Sequence, residues 1–392
     1  MSSSRKPFSS AEYKARVEKT RKAMKKQGMD VLIITAPANM AWLTGYNAWS
    51  FYVHQCVVLA QDGELFWFGR GIDASGVPIT TDLTPEQIHT YHDHYVQSPE
   101  RHPMDVLAAM LYDKGHHLSR IGVEKDSYYF TARAMESLQA GMPKAEFIDA
   151  TGLVNWQRSL KSEAEIQVMR GAARVIESVY ERIMEVAKPG MRQNELVAEI
   201  AHASVLGTED YFGDYPAIVP LVGSGPESAA CHLTWNDQLL PADNGVFLEL
   251  TGVHHRYHTP CSRTLYFGEP PKHYRKVEAV IQEAIETTLE FFRPGFTCAD
   301  AANAFFNKLH QHGYEKDNRC GYSIGLAYPP DWGEHTMSLR GDDETEFKAG
   351  MTFHFMPGLW FEDWGFETTE SVLVTDSGGE CLANVPRKLL VV

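Results

Sequence analysis

A carboxylate inside an apolar run needs a reason. GVFLELTG (residues 245–252) carries one, Glu249, between Leu248 and Leu250. Such a group must be paired, hydrogen-bonded or held protonated. Carboxylates perturbed in this way collect where acid–base or nucleophilic chemistry is done; a structural ion pair is the competing reading. Upstream, GSGPESAACHLTWND (223–237) is a Gly/Pro-rich loop leading to His232. An imidazole with an ordinary pKa of ~6.5 can move a proton in either direction near neutral pH, although a lone histidine is more often structural. Downstream, His254, His255 and His258 gather at an expected hairpin turn. Their spacing is a weak metal signature, and a solvated loop is the simpler reading for His254 and His255.

Two later stretches could complete a site. GYSIGLAYPPDWGEH (321–335) holds Tyr322, Tyr328 and Trp332, whose faces attract organic cations, and Pro329–Pro330, which restrict the backbone. It is too rich in glycine, proline and polar groups for an ordinary helix or strand, so a rigid loop is expected, with Glu334, His335 and Arg340 as its polar groups. WFEDWGFETTESVLVTD (360–376) places Glu362, Asp363, Glu367 and Glu370 ahead of a buried strand, and Glu370, next to SVLVT, is the best placed. Packed aromatics, solvated acids and surface salt bridges are the plain alternatives.

The elements that must position these residues fall into two parts. Residues 10–27 form a charged amphipathic helix, DVLIITAP (30–37) a buried strand, and CVVLAQDGELFWFG (56–69) a hairpin turning at Gln61-Asp62-Gly63. Helical patterns at 102–115 and in FTARAMESLQAG flank a strand at IGVEKD, an alternation that implies an α/β layer domain. Near residue 160 the pattern changes. Ser162 caps a long helix whose apolar face is Ile166, Met169, Ala173, Ile176, Val179 and Ile183, ended by Pro189-Gly190. The expected domains are 1–158 and 159–392. The second part echoes itself: AKPGMRQNELVAEIAHA (187–203) and FRPGFTCADAANAFFNK (292–308) lie about 105 residues apart, as do the strands GVFLELTG and GMTFHFMPG. Two copies of one helix-and-strand unit imply pseudo-two-fold symmetry around a cleft.

Composition narrows the class. The chain has 392 residues, 44% hydrophobic and 22% charged, as a packed globular protein does. A net charge of −15 argues against nucleic acid or an anionic membrane as partner. Six scattered cysteines without a CxxC pair suit a reducing compartment, and no signal-like or membrane-spanning run is seen. A cytoplasmic location is expected.

In this order the segments resemble the creatinase / aminopeptidase P / prolidase family over nearly the whole chain. The resemblance implies an α+β protein: an N-terminal α/β creatinase-like domain followed by a C-terminal pita-bread domain. The family's metallopeptidases hold two metal ions with two aspartates, a histidine and two glutamates. Carried over ungapped, those slots fall on Glu249, Pro260, Pro329, Met356 and Thr369. Proline and threonine cannot replace the ligands and methionine is too soft for a hard-metal site, so the resemblance implies no metal and no cofactor. Creatinase itself works without one, and its essential histidine matches His232. The YPPDWGEH and SVLVT segments look more like a branch that hydrolyses a small cyclic amidine. By that resemblance Glu249 is nucleophile or general base, and His232 carries a proton to the departing nitrogen. Tyr328 and Trp332 line the cationic ring, and Arg340 pairs with a substrate carboxylate. Glu334, His335, Glu370 and His258 complete the substrate-binding set. Alternatives are a creatinase-type amidinohydrolase on another small substrate, a metal-dependent Xaa-Pro dipeptidase, and an inactive binding protein. Family relatives are often dimers, so a homodimer is expected; Trp49, Phe51 and Tyr52 either line a partner's cleft or simply pack.

Overall fold

The structure is a computed structural model that describes residues 5–392. The chain divides into two compact units between Arg158 and Ser159. In the first unit a six-stranded sheet runs β4-β3-β2-β1-β5-β6. Its strands are β1 (Val31–Ile34), β2 (Cys56–Ala60), β3 (Leu65–Arg70), β4 (Ile88–Tyr91), β5 (Arg120–Val123) and β6 (Glu146–Asp149). Strands β1, β2 and β3 pair antiparallel, and the outer pairings are parallel. Side chains on a strand alternate between faces, so one sheet makes two cores. Val31, Ile33, Val58 and Phe68 pack with Leu107, Leu111 and Leu138 from the helices Pro103–Asp113 and Ala132–Gly141. Leu32, Ile34, Val57 and Leu59 pack with Met24, Met40 and Trp42 from the helices Ser10–Lys26 and Pro37–Thr44.

The second unit opens on the helix Glu163–Val186, started by a reciprocal cap: Ser162 Oγ accepts from the Glu165 N–H, and the Glu165 carboxylate accepts from the Ser162 N–H. The helices Gln193–Leu206, Lys272–Leu289 and Cys298–Gln311 follow. The sheet strands are β7 (Leu221–Ser224), β8 (Gly245–His254), β9 (Tyr257–Tyr266), β10 (Gly321–Tyr328), β11 (Asp331–Ser338), β12 (Thr352–Phe355), β15 (Glu370–Thr375) and β16 (Gly378–Cys381). The short β13 (Gly358–Trp360) and β14 (Gly365–Glu367) pair with each other, and β17 (Leu390–Val391) joins β9. The main order is β16-β15-β12-β10-β9-β8-β7, with β11 beside β10. Both sequence echoes therefore place a helix pair ahead of strands in one shared sheet.

The two faces of this sheet differ in chemistry. Phe353, Phe355, Val372 and Val374 belong to the core shared with the helices Lys272–Leu289 and Cys298–Gln311. On β8 the matching face lies on the helix Glu163–Val186, so closely that a Cβ on Gly252 would sit 2.0 Å from the Ala172 carbonyl oxygen. The alternate residues point the other way and are mostly polar. Register pairs Glu249 with Ser262, Tyr322 with His354, and His354 with Ser371.

The segment 321–335 is a correction to the sequence reading. It is a β10–β11 hairpin turning at Pro329–Pro330, joined by a cis peptide, not an irregular loop. The prolines occupy only the turn, where no ladder donor is needed. His254 also differs from expectation: it is buried in β8, with its Nδ1 2.9 Å from the Phe212 carbonyl oxygen. The turn itself falls on His255 and Arg256, both at positive φ.

Candidate active site

Glu249 lies on the polar face of β8, between Leu221 of β7 and Ser262 of β9. It is only 8% exposed, and its carboxyl forms no hydrogen bond among the described residues. A second carboxyl stands beside it. Glu367 closes β14 and is clamped at the backbone by Thr264: its N–H donates to Thr264 Oγ1 at 2.9 Å, and the Thr264 hydroxyl donates to its carbonyl oxygen at 3.1 Å. Glu367 Oε2 and Ser262 Oγ are both buried without a hydrogen-bond partner among the described residues. Burial raises the Glu249 pKa well above the carboxylate range, and the Glu367 charge adds to it. Burial lifts Glu367 to about 7, against the opposing pull of Lys316, the neighbouring Ser262 hydroxyl and Arg263. Two close carboxyls in a dry site do not both ionise readily, so the pair keeps a proton near neutral pH.

A hydrogen-bond chain runs along the same face. Trp332 Nε1–H donates to Tyr322 Oη at 2.7 Å, which lies 3.2 Å from His354 Nδ1. His354 Nε2 is 2.9 Å from Thr369 Oγ1, which also accepts the Ser262 N–H at 2.7 Å. Burial, then the Arg319 charge, pushes His354 down to about 3, so its imidazole is neutral. Burial raises the Tyr322 phenol, and Glu249 is the next contributor, which ties this chain to the carboxyl pair. The Arg319 guanidinium lies 4.4 Å from the centre of the Tyr322 ring.

The residues expected from the sequence are distributed unevenly. His232 sits exposed on a turn, next to Cys231, whose thiol is pushed up by burial and then by Glu367 and Glu249. Glu370 faces the helix-covered side, where it pairs with Arg263 at 2.7 Å and Arg387 at 3.2 Å. Strand alternation explains this: Thr369 faces the cleft, so Glu370 cannot. Glu334 is buried against Lys161 at 2.7 Å. His258 is enclosed, with Nε2 accepting the Ala217 N–H at 2.9 Å and Nδ1 2.9 Å from the Arg256 carbonyl oxygen. Trp332 is fully buried, and Tyr328 is buried beneath the Arg256 guanidinium, 4.8 Å from its ring centre. His335 is exposed and pairs with Asp331 at 2.6 Å, and Arg340 is exposed, 3.1 Å from Ser338 Oγ. The sequence points to neither His354 nor Arg319, and it offers Tyr322 only as one of three aromatic faces and Glu367 only as one of four acids. The available signal was parity: Glu367 stands two residues before the Thr369 slot, on the same side of an extended chain.

Residues 16–160 match the creatinase/prolidase N-terminal domain, and residues 167–376 match metallopeptidase family M24. The chain belongs to metallopeptidase family M24. It is 49% identical over 392 residues to the ectoine hydrolase of Halomonas elongata, spanning 98% of both chains. It is 44% identical over 385 residues to the uncharacterized hydrolase/peptidase y4tM of Sinorhizobium fredii, spanning 98% of both. In three dimensions it is similar to a prolidase from Thermococcus sibiricus, with a TM-score of 0.85 at 18% identity over 98% of this chain and 100% of the other. That last likeness concerns the fold alone.

The metal site that the M24 family name implies does not fit the residues here. The Pro260 carbonyl oxygen accepts the Ser371 hydroxyl at 2.8 Å, and the Thr369 hydroxyl is engaged by Ser262 and His354. Tyr322, not Pro329, is the β10 side chain that joins this cluster. Among the described residues no three His, Cys, Asp or Glu side chains converge as a ligand set. A phenol, a threonine hydroxyl and a neutral imidazole already bonded to both cannot substitute for carboxylates around hard cations.

Proposed function

We propose that this chain is a hydrolase that opens the cyclic amidine ectoine to N-acetyl-diaminobutyrate without a metal. The observation that carries the reading is full-length similarity, 49% identity over 98% of the chain, to the ectoine hydrolase of Halomonas elongata. The cleft supplies chemistry suited to that substrate. Ectoine carries an amidinium and a carboxylate, and its amidinium carbon is already electrophilic. Glu249, ionised by an approaching cation, either attacks that carbon or takes a proton from the attacking water. One C–N bond then breaks and the departing nitrogen takes a proton; where Glu249 attacked, a water then cleaves the bond from that carbon to Glu249, so one water is consumed by either route. His232 carries that proton in this reading. Arg319, over Tyr322, is a candidate for the substrate carboxylate beside Arg340, because a guanidinium fork matches a carboxylate.

Mass spectrometry of ectoine incubated with the protein tests the reading. A product heavier by one water is expected, and unchanged ectoine overturns it. Dialysis against a strong chelator should leave the rate unchanged; a loss restored by manganese or cobalt would instead favour a dipeptidase. We also propose that the protein works as a cytoplasmic homodimer, which light scattering on the purified chain would test for assembly.

A further inference from the structure

We propose that Glu367 is a second substrate-touching residue: its carboxyl and the Ser262 hydroxyl form the seat for an amidinium N–H edge, beside Glu249 under the electrophilic carbon. The inference rests on the cyclic-amidine reading and names the group that recognises the cation.

Three observations converge. The Thr264 clamp holds the Glu367 backbone from both its N–H and its carbonyl, so the carboxyl is aimed before any ligand arrives. Ser262 Oγ stands close enough to Glu367 to favour its ionised form, yet neither it nor Glu367 Oε2 meets a partner at hydrogen-bond geometry among the described residues. Buried polar atoms left so cost free energy, and those that persist call for an outside partner. An acceptor carboxyl beside a hydroxyl calls for a donor such as N–H. Finally, the available protein cation is committed elsewhere. Lys316 Nζ donates to the Gly358 carbonyl oxygen at 3.1 Å and lies over Trp360 at 4.7 Å, without an ion pair to Glu367. Arg263 is turned to Glu370 on the opposite face.

The charges facing the pair from each element are Lys316, Arg263, Cys231, Tyr322 and, from the helix Glu163–Val186, Tyr180. The thiol and both phenols are raised by burial and stay neutral near pH 7. The free pair therefore keeps at least one proton near neutral pH. A bound amidinium supplies the positive charge that lets both ionise, and the proton leaves to solvent: protonated site plus cation gives complex plus H⁺.

Acetamidinium, an unreactive amidinium, is the probe. Calorimetric titration at pH 6.5, in buffers of different ionisation enthalpy, counts the protons released. Wild type should release close to one proton per acetamidinium bound. E367Q should bind at least about tenfold more weakly, while S262A weakens binding less. Melting curves for both variants establish that they are folded. Wild-type-like affinity in E367Q overturns the proposal, as does an absence of acetamidinium binding to wild type. Should ectoine go unhydrolysed while acetamidinium binds with Glu367-dependent affinity, the ring-opening reading fails and the Glu367 seat stands.

Discussion

Glu249 and Glu367 are both buried acids, yet only one announces itself in the sequence. Glu249 is flanked by Leu248 and Leu250 on a long apolar strand, so its cost is legible from its neighbours. Glu367 sits among Glu362, Asp363 and Glu370, where one acid looks like another, and it is the fold of β14 against Thr264 that selects it. Local apolar context favoured Glu370, which the structure gives to Arg263. E249Q should lower kcat by roughly 10²–10⁴-fold while its melting temperature holds or rises, since it removes a desolvated acid; full activity would remove Glu249 from the chemistry. Glu367 also sets a pH slope. Its pKa rises from 4.5 to about 7 on folding, so the folded state holds the extra proton. That stabilisation is complete below pH 4.5 and is lost as pH rises through about 7. Wild-type melting temperature should therefore fall across that window relative to E367Q; parallel profiles would contradict the shift.

Elements were legible where one periodicity dominates. The helix Glu163–Val186 followed from its cap and apolar stripe, and the β2–β3 hairpin from its turn residues. The β10–β11 hairpin did not, because glycines and prolines were read as interruptions while the alternation of its buried side chains carried the strand signal. Two substitutions test the local arguments. S162A removes one hydrogen bond of the reciprocal cap and should cost about 1 kcal/mol in urea unfolding. G252A forces a Cβ against the Ala172 carbonyl oxygen, backbone on backbone, and should cost about 1–3 kcal/mol or more; a neutral result would mean the strand and helix are not in direct contact.

At the scale of the molecule, composition and spacing point to a boundary near residue 158 and to an internal echo, and the described chain divides into two units between Arg158 and Ser159. Which face of the sheet would become the cleft could not be read from the sequence, since that depends on pairings between strands far apart in the chain. Among the described residues no helix is long and apolar enough to cross a membrane. The net charge of −15 creates a field that concentrates cations, but a zwitterion such as ectoine has little net charge to steer. Its kcat/KM should change less than about twofold between low salt and ~0.5 M salt, whereas acetamidinium affinity should fall. The nine-stranded sheet separates two kinds of buried charge. Towards the helices, Glu370 has its counter-ions within the chain, Arg263 and Arg387. Towards the cleft, Glu249 and Glu367 form an incomplete set, whose missing cation arrives from solution. Substrate choice here is counter-ion choice, so a lactam of the same outline as ectoine would be refused for its charge and not for its shape.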